Sequence, residues 1–204
     1  MKKDYKKDYR EYYLPKGINI INIPKFKFIV IEGEGDPNNS DFQDVMSALY
    51  SFSYAVKMSY KSKDIPKDYY EYVVFPLEGI WDLIDKTKPS TDKSNYKYRV
   101  MIRQPEFLTK ELFDKFLIQV KNKKSNKYLD KLIYEEVEEG LCCQTIHIGS
   151  YDDEPTTFNK MEEYCKLNGY KRISKIHREI YLSDPRKVDK TKLQTLLRFK
   201  VEHE

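Results

Sequence analysis

Two stretches of the chain repeat one pattern, KFKFIVIEGEG at residues 25–35 and LCCQTIHIGSY at residues 141–151. In each, apolar residues alternate with polar ones or run together, which is typical of a β-strand, and a glycine ends the run. After each stretch, apolar residues recur at steps of three and four, which predicts an amphipathic helix. Two more strands are predicted after each helix along the chain. The sequence therefore predicts two copies of a β-α-β-β unit.

The remaining elements extend this pattern. In the first copy the predicted strands are residues 25–32, 69–75 and 96–102, with a helix over 42–56. In the second copy they are residues 141–148, 176–182 and 193–201, with a helix from Pro155 to Gly169. Two connecting helices are predicted between the copies, one over 112–120, after a possible cap at Thr109, and one over 129–137. The tyrosine-rich opening is expected to pack as a leading helix or arm.

These elements predict an α+β fold made of duplicated βαββ units with pseudo-two-fold symmetry. Antiparallel sheets would carry helices on one face, and a ligand groove would lie between the repeats. The expected boundaries are an N-terminal arm at 1–24, a first repeat at 25–105, connecting helices at 108–139 and a second repeat at 141–202.

The charge distribution argues against a nucleic-acid partner. The chain has 37 Lys and Arg against 33 Asp and Glu, a net charge of +4. The first 25 residues hold seven of the basic and three of the acidic residues, which leaves 30 of each sign in the rest. A phosphate-binding face would need clustered cations. No apolar run approaches the ~20 residues that span a bilayer, and no apolar leader is present, so a cytoplasmic protein without a membrane partner is expected.

The cysteines Cys142, Cys143 and Cys165 indicate reduced core thiols. Neighbouring residues of a strand point to opposite faces, so Cys142 and Cys143 cannot chelate as a CxxC pair does. Since the chain has only three histidines, no metal is expected.

The strand at 176–182 holds the strongest candidate for chemistry. Its aliphatic residues alternate with His177, Glu179 and Tyr181. If the aliphatic face covers the helices, Glu179 and Tyr181 point into a cleft. A desolvated carboxylate there suits acid–base catalysis, and an ionised one attracts a cationic ligand. The alternative is a solvated glutamate that is paired with Lys or Arg on an outward face.

Two other positions have similar alternatives. Tyr151 follows the flexible Gly149, so it could fold over a cleft and donate a hydrogen bond to a developing oxyanion, or it could be a surface tyrosine. Trp81, the one tryptophan, lies in PLEGIW with Glu78. It could be a shelf for a ligand or an anchor in the core.

Three stretches resemble the stand-alone bacterial members of the GyrI-like small-molecule-binding domain family. They are CQTIHIGSYDDEP at 143–155 with NGY at 168–170, HREIYLSDPRK at 177–187, and PLEGIW at 76–81 with MIRQPEF at 101–107. The second stretch is the most specific. The resemblance implies the duplicated βαββ fold of the effector domains of MerR-type multidrug regulators and of SOUL haem proteins.

The resemblance also implies where the site lies. Glu179 corresponds to the central glutamate of an aromatic groove, and Tyr151 is the second catalytic candidate. The ligand-binding residues that it implies are Tyr181, Trp81, Glu78, Met101, Phe107 and His147. Asp82 departs from the pattern, because relatives often have an aromatic residue there. No cofactor is expected, and too little chain precedes the first repeat for a helix-turn-helix.

Three functions stay open at this point. The first is binding of small amphipathic or electrophilic molecules for drug sequestration or detoxification. The second is hydrolysis of cyclopropane-bearing toxins or isothiocyanates, with Glu179 as general base and a tyrosine as hydrogen-bond donor. The third is a gyrase-inhibitor-like protein-interaction module, which would need a large exposed apolar patch. The expected partner is a small-molecule ligand, and the chain is expected to be a monomer or homodimer.

Overall fold

A computed structural model of the chain describes residues 2–89 and 91–204, apart from the side chain of Ser40. Its helices are α1 (Tyr5–Asp8), α2 (Arg10–Tyr13), α3 (Ser40–Lys57), α4 (Lys110–Lys123) and α5 (Glu154–Leu167). Its strands are β1 (Asn19–Ile23), β2 (Phe26–Glu34), β3 (Leu77–Leu83), β4 (Tyr96–Arg103), β5 (Ile133–Val137), β6 (Gly140–Ile148), β7 (Tyr170–Arg172), β8 (His177–Tyr181) and β9 (Gln194–His203). Within the described ranges, no helix is both long and apolar enough to cross a membrane.

The order strand, helix, strand, strand occurs twice along the chain. The first copy is β2, α3, β3 and β4, and the second is β6, α5, β8 and β9, with the short β7 after its helix. The strand pairs within each copy's sheet are antiparallel. The predicted α+β class and the duplicated βαββ order are therefore confirmed.

The chain divides into two compact units, each drawn from several stretches. Unit 1 comprises Met1–Asp4, Phe26–Phe75 and Leu83–Val137. Unit 2 comprises Tyr5–Lys25, Pro76–Asp82 and Glu138–Glu204. Most of β3 thus belongs to unit 2, although its sequence lies within the first βαββ copy.

Unit 1 is a small sheet with two helices. β2 lies between β4 and β5 and is antiparallel to both. α3 packs on β2 and β4, and α4 packs on α3, where the rings of Phe52 and Phe113 lie 5.0 Å apart. Thr109 accepts a hydrogen bond from the backbone N–H of Leu112, so the predicted cap of α4 is confirmed.

One predicted strand of unit 1 is wrong. Residues 69–75 form no ladder among the described residues, and Tyr72 makes an isolated bridge with Lys3. The rings of Tyr69 and Tyr70 instead pack around Phe107, with centroids 5.1 Å and 5.3 Å from it. The aromatic residues that predict a strand here form this cluster instead.

One predicted helix of unit 1 is also wrong. A 3-10 turn at Lys127–Lys131 leads into β5, which pairs with β2 along the predicted helix position. The pairing lets Glu135 form an ion pair with Arg99 of β4. Ile133, Tyr134 and Val137 suit a strand, so tertiary pairing outweighs the apolar spacing.

Unit 2 contains the larger sheet, in the order β1-β6-β9-β8-β3, and β7 pairs with the end of β9. α5 packs on one face, which is called the α5 face below. Its buried core consists of Cys143, Met161, Cys165, Leu197, Phe199 and Val201. The cysteines are free buried thiols, as the sequence predicts.

The opposite face of this sheet is called the arginine face, after Arg178 and Arg198. The N-terminal segment covers it. Arg198 donates to the backbone oxygen of Tyr12, and the hydroxyl of Tyr13 donates to Glu78 at 3.2 Å. The tyrosine-rich opening therefore packs as two short helices over charged side chains.

Candidate functional site

The register of β8 decides which of its residues lie beside α5. Glu179 pairs with Leu197 of β9, and Leu197 is part of the core under α5. Side chains at alternate positions share a face, so His177 and Tyr181 lie on the α5 face with Glu179. The ring of Phe158, a residue of α5, lies 4.8 Å from that of His177. The polar residues of β8 therefore face α5.

The condition under which Glu179 and Tyr181 would point into a cleft, an aliphatic face of β8 packed against the helix, is therefore not met. Ile180 lies on the arginine face, where it is fully buried beside Arg178. Both faces of the sheet are covered, by α5 and by the N-terminal segment. Alternation of polar and apolar residues shows which side chains share a face, but it cannot show which face a helix covers.

Glu179 is held at both carboxylate oxygens. The hydroxyl of Tyr181 donates to Oε2 at 2.8 Å, and Nε2 of His177 lies 3.0 Å from Oε1. The side chain is 13% exposed, so solvent reaches it only narrowly. A carboxylate accepts about four hydrogen bonds, so lone pairs remain for a water molecule. Glu179 can therefore act as a general base on a bound water.

Trp81 continues this hydrogen-bonded chain. Its indole Nε1 donates to the hydroxyl of Tyr181 at 3.0 Å. Gly79 makes the contact possible, because a Cβ there would lie 2.7 Å from the indole nitrogen and 3.2 Å from the Tyr181 hydroxyl. The register places Gly79 opposite Glu179 and Trp81 opposite His177. β3 therefore brings the tryptophan to the glutamate.

Tyr151 reaches the same cluster from the loop that follows β6. Gly149, at a φ of +139°, bends the chain into a 3-10 turn at Tyr151–Asp153. The ring of Tyr151 meets that of Tyr181 edge-on, with centroids 5.9 Å apart. Burial, and then the charges of Glu179 and other nearby carboxylates, raise the pKa of Tyr151 to about 12. Its hydroxyl is therefore a donor at neutral pH.

Glu154 belongs to this cluster and was missed from the sequence. It is the first residue of α5, and it is 5% exposed. Burial, and then the charges of Glu179 and Asp152, raise its pKa well above the ordinary range. Its only signal is its place before Pro155, and acidic residues are ordinary in a first helical turn.

Glu154, His177 and Glu179 together offer donors for a cation. One ligand atom from each lies within 4.8 Å of the other two. Two carboxylates and an imidazole are ligands that zinc and other divalent ions accept. The sequence predicts no metal, but this donor set is chemically able to hold one.

His147 and Glu78 are engaged in other contacts. Nδ1 of His147 lies 2.8 Å from the hydroxyl of Thr157, and Nε2 lies 2.9 Å from the backbone oxygen of Ser150. His147 therefore ties the Tyr151 turn to α5. Glu78 lies on the arginine face, where Arg178 donates to its Oε2 at 2.6 Å.

Met101 and Phe107, the other predicted ligand-binding residues, belong to unit 1. Met101 is fully buried on β4, opposite Val30 of β2. Phe107 is buried among the tyrosine rings that follow α3.

Comparison with known proteins identifies the family. The profile of the GyrI-like small molecule binding domain matches residues 17–202. A crystal structure of an uncharacterized conserved protein from Listeria innocua is 31% identical, covers 98% of this chain and 100% of its own, and has a TM-score of 0.92. A crystal structure of a hydrolase from the same organism is 30% identical over 98% of this chain and 100% of its own, with a TM-score of 0.89.

A more distant structure shares the fold alone. The C-terminal domain of EcmrR is 15% identical over 92% of this chain and 98% of its own, with a TM-score of 0.53. The search of curated proteins gave no significant match. The family profile and the full-length likeness to the Listeria proteins agree, and the chain belongs to the GyrI-like small-molecule-binding domain family.

Proposed function

We propose that this chain is a hydrolase of small electrophilic molecules, with Glu179 as its general base. The proposal rests on the Glu179 carboxylate, which Tyr181 and His177 hold in place while 13% of the glutamate side chain stays exposed. A fixed, partly desolvated carboxylate is suited to taking a proton from water. The full-length likeness to a Listeria innocua hydrolase supports the same reaction class.

The reaction needs a base and a donor. Glu179 accepts a proton from water while the water oxygen bonds to an electrophilic carbon. One bond of that carbon breaks, and its electron pair moves to a neighbouring atom. The Tyr151 hydroxyl, which remains protonated because its pKa is about 12, donates a hydrogen bond to the atom that gains charge. The proton that Glu179 accepted then passes, directly or through water, to that atom, which leaves a neutral product and restores the carboxylate.

The substrates that fit this chemistry are small, largely apolar and electrophilic. In an isothiocyanate, water adds to the central carbon and the nitrogen receives the electron pair. In a cyclopropane that carries a carbonyl group, water attack opens a strained carbon–carbon bond and the carbonyl stabilises the negative charge. The rings of Trp81, Tyr151 and Tyr181 provide apolar contact area for either class.

Drug sequestration without turnover is the second candidate, and the family's description as a small-molecule-binding domain favours it. The same rings with an ionised Glu179 would attract an amphipathic cation. A lipophilic cation should then quench the fluorescence of Trp81 without being changed itself.

The test is the Glu179→Gln variant, assayed with phenyl isothiocyanate and with a carbonyl-activated cyclopropane. Loss of the base should lower kcat/KM by about 10²–10⁴-fold. Glu163→Gln, an exposed carboxylate of α5, is the matched control and should keep wild-type turnover. Circular dichroism should show the same fold in all three proteins.

Two results would contradict the proposal. Unchanged turnover in Glu179→Gln would remove this residue from the mechanism. Tight quenching of Trp81 by both probes, with no product from the wild type, would leave sequestration as the function.

A further inference from the structure

Glu154 has a buried carboxyl oxygen that the proposed reaction does not use. The residue is 5% exposed, and its Oε1 atom has no hydrogen-bond partner within residues 2–89 and 91–204. A buried polar atom without a partner is unfavourable, and native proteins usually provide one from the chain, from water or from a bound ion. The partner of this oxygen is therefore to be sought outside the chain.

His177 directs one ring nitrogen toward the same place. Its Nδ1 lies 3.2 Å from the backbone oxygen of Lys175. A carbonyl oxygen can only accept, so Nδ1 carries the hydrogen of this bond and Nε2 is the atom that can offer a lone pair. Nε2 lies 3.0 Å from Oε1 of Glu179. Histidines that bind metal ions commonly donate their other ring N–H to a backbone carbonyl in this way.

Glu179 completes a set of three ligands. Tyr181 orients its carboxylate by donating to Oε2, which leaves Oε1 free to bind an ion. One ligand atom each of Glu154, His177 and Glu179 lies within 4.8 Å of the other two. Bonds of about 2.0–2.2 Å place the ligand atoms of a tetrahedral zinc ion about 3.4 Å apart, so side-chain shifts of about 1–2 Å close the site. Since His177 and Glu179 are partly exposed, an ion can enter from solvent.

The charge and chemistry of these side chains fit a divalent transition metal. No lysine or arginine of the described residues forms an ion pair with Glu154 or Glu179. Bound as ligands, the two carboxylates balance the two positive charges of a divalent cation. The imidazole favours zinc over calcium and magnesium, which prefer oxygen ligands alone.

We infer that Glu154, His177 and Glu179 form a zinc-binding site, and that bound zinc inhibits the reaction at Glu179. A zinc ion on Oε1 of Glu179 occupies the place of the water that this carboxylate activates, and it withdraws electron density from the base. The binding of zinc does not depend on the proposed function, whereas its effect on turnover rests on it.

Calorimetric titration with Zn²⁺ tests the site without a substrate. The full chain, without an affinity tag and freed of metal by a chelator, should bind one zinc ion. Glu154→Gln and His177→Gln should each weaken the affinity by at least about 10–100-fold, the loss that even changes beyond the direct ligands cause. Glu163→Gln and His203→Gln, which change an exposed carboxylate and an exposed histidine, should bind as the wild type does. Unchanged affinity in Glu154→Gln and His177→Gln would overturn the inference.

Co²⁺ in place of Zn²⁺ identifies the ligand atoms. A site of carboxylate oxygens and an imidazole nitrogen should give d–d bands in the visible spectrum, and Glu154→Gln should lack them. Cysteine ligands would add a strong sulfur-to-cobalt band in the near ultraviolet. That band in the wild type would place the ion at the thiols and overturn the inference. Circular dichroism of each variant should show the wild-type fold.

Turnover of phenyl isothiocyanate tests the inhibition. Zn²⁺ at about ten times its Kd should lower wild-type turnover about tenfold, because about one molecule in eleven stays free of the ion. A chelator should restore the rate, and Glu163→Gln should respond in the same way. At this Zn²⁺ concentration Glu154→Gln should lose little of its own rate. A rise in wild-type turnover with Zn²⁺ would overturn the inhibitory role and make the ion part of the reaction.

The two proposals fail in different ways. If the wild type binds no Zn²⁺ while turnover still depends on Glu179, the zinc site alone is overturned. If the wild type binds Zn²⁺ through Glu154 and His177 but hydrolyses neither probe, the proposed function and the inhibition fail, and the binding site is supported.

Discussion

Buried glutamates on the two faces of the unit 2 sheet have different kinds of partner. On the arginine face, Arg178 lies 2.6 Å from Glu78 and 2.9 Å from Glu139. On the α5 face, Glu154 and Glu179 have phenols, an indole and an imidazole nearby in place of a guanidinium. Both groups of glutamates lie on or beside the same strands, β3 and β8. The two groups therefore differ in the side chains that surround them.

The partners set the protonation state. Burial alone would raise the pKa of Glu139, but Arg178 and Arg198 together hold it below its ordinary range. Within the part of the chain that the structure describes, no guanidinium offsets the burial of Glu154, whose pKa is raised. A carboxylate that is matched by a guanidinium is a structural counter-ion, whereas an unmatched pair can exchange protons. Burial alone therefore does not identify a reactive glutamate.

Removal of the Arg178 guanidinium should destabilise the protein most. Arg178→Met leaves Glu78 and Glu139 buried without their shared cation, which should cost about 3–5 kcal/mol of unfolding free energy. Urea denaturation measures it. Arg186→Met is the control, because Arg186 is 85% exposed and its pair with Asp184 should contribute at most about 1 kcal/mol. Equal losses of unfolding free energy in the two variants would show that the buried ion pairs of Arg178 contribute no more than the exposed pair of Arg186.

The next effect concerns the donor on the α5 face. Tyr181→Phe removes the hydroxyl that donates to Glu179 and accepts from Trp81. A hydrogen bond to a charged group contributes about 1.5–3 kcal/mol, so kcat/KM for phenyl isothiocyanate should fall by about 10–100-fold. Tyr164→Phe, at the edge of the core under α5, is the control. A fall of the same size in that control would mean that the loss is not specific to Glu179.

The last effect is a change in the pH dependence of stability. The ordinary pKa of a glutamate is 4.5, and the folded protein holds the Glu154 proton to higher pH. Above that value the native state binds one more proton than the unfolded state, so this group lowers stability as pH rises, by at most about 1.4 kcal/mol per pH unit. Glu154→Gln should remove this slope. Urea titrations between about pH 5 and pH 8 measure it, and parallel slopes would contradict the assignment.

Much of the fold follows from local pattern. The strands with a glycine at the end, the helix caps and the apolar stripes are set by residues close in sequence, so β2, β4, β6, α3, α4 and α5 are all predictable. The errors occur where distant contacts decide the structure. β5 forms because β2 offers an edge, and residues 69–75 use their rings in an aromatic cluster.

The site was predictable in part. The alternation along β8 places Glu179 and Tyr181 on one face, and the family resemblance adds Tyr151 and Trp81 as candidates. The identity of that face depends on where α5 and the N-terminal segment pack, which one strand does not encode. Glu154 could not be distinguished, because an acid before Pro155 has the same local sequence whether the fold buries or exposes it.

The buried thiols have a consequence for a protein that handles reactive molecules. Burial raises the pKa of Cys142 to about 12, and it also raises the pKa of Cys143 and Cys165. Since the thiolate is the form that electrophiles alkylate rapidly, and all three sulfur atoms are enclosed, these cysteines are poor targets. The fold thereby protects the protein from chemical self-inactivation by the compounds proposed as its substrates.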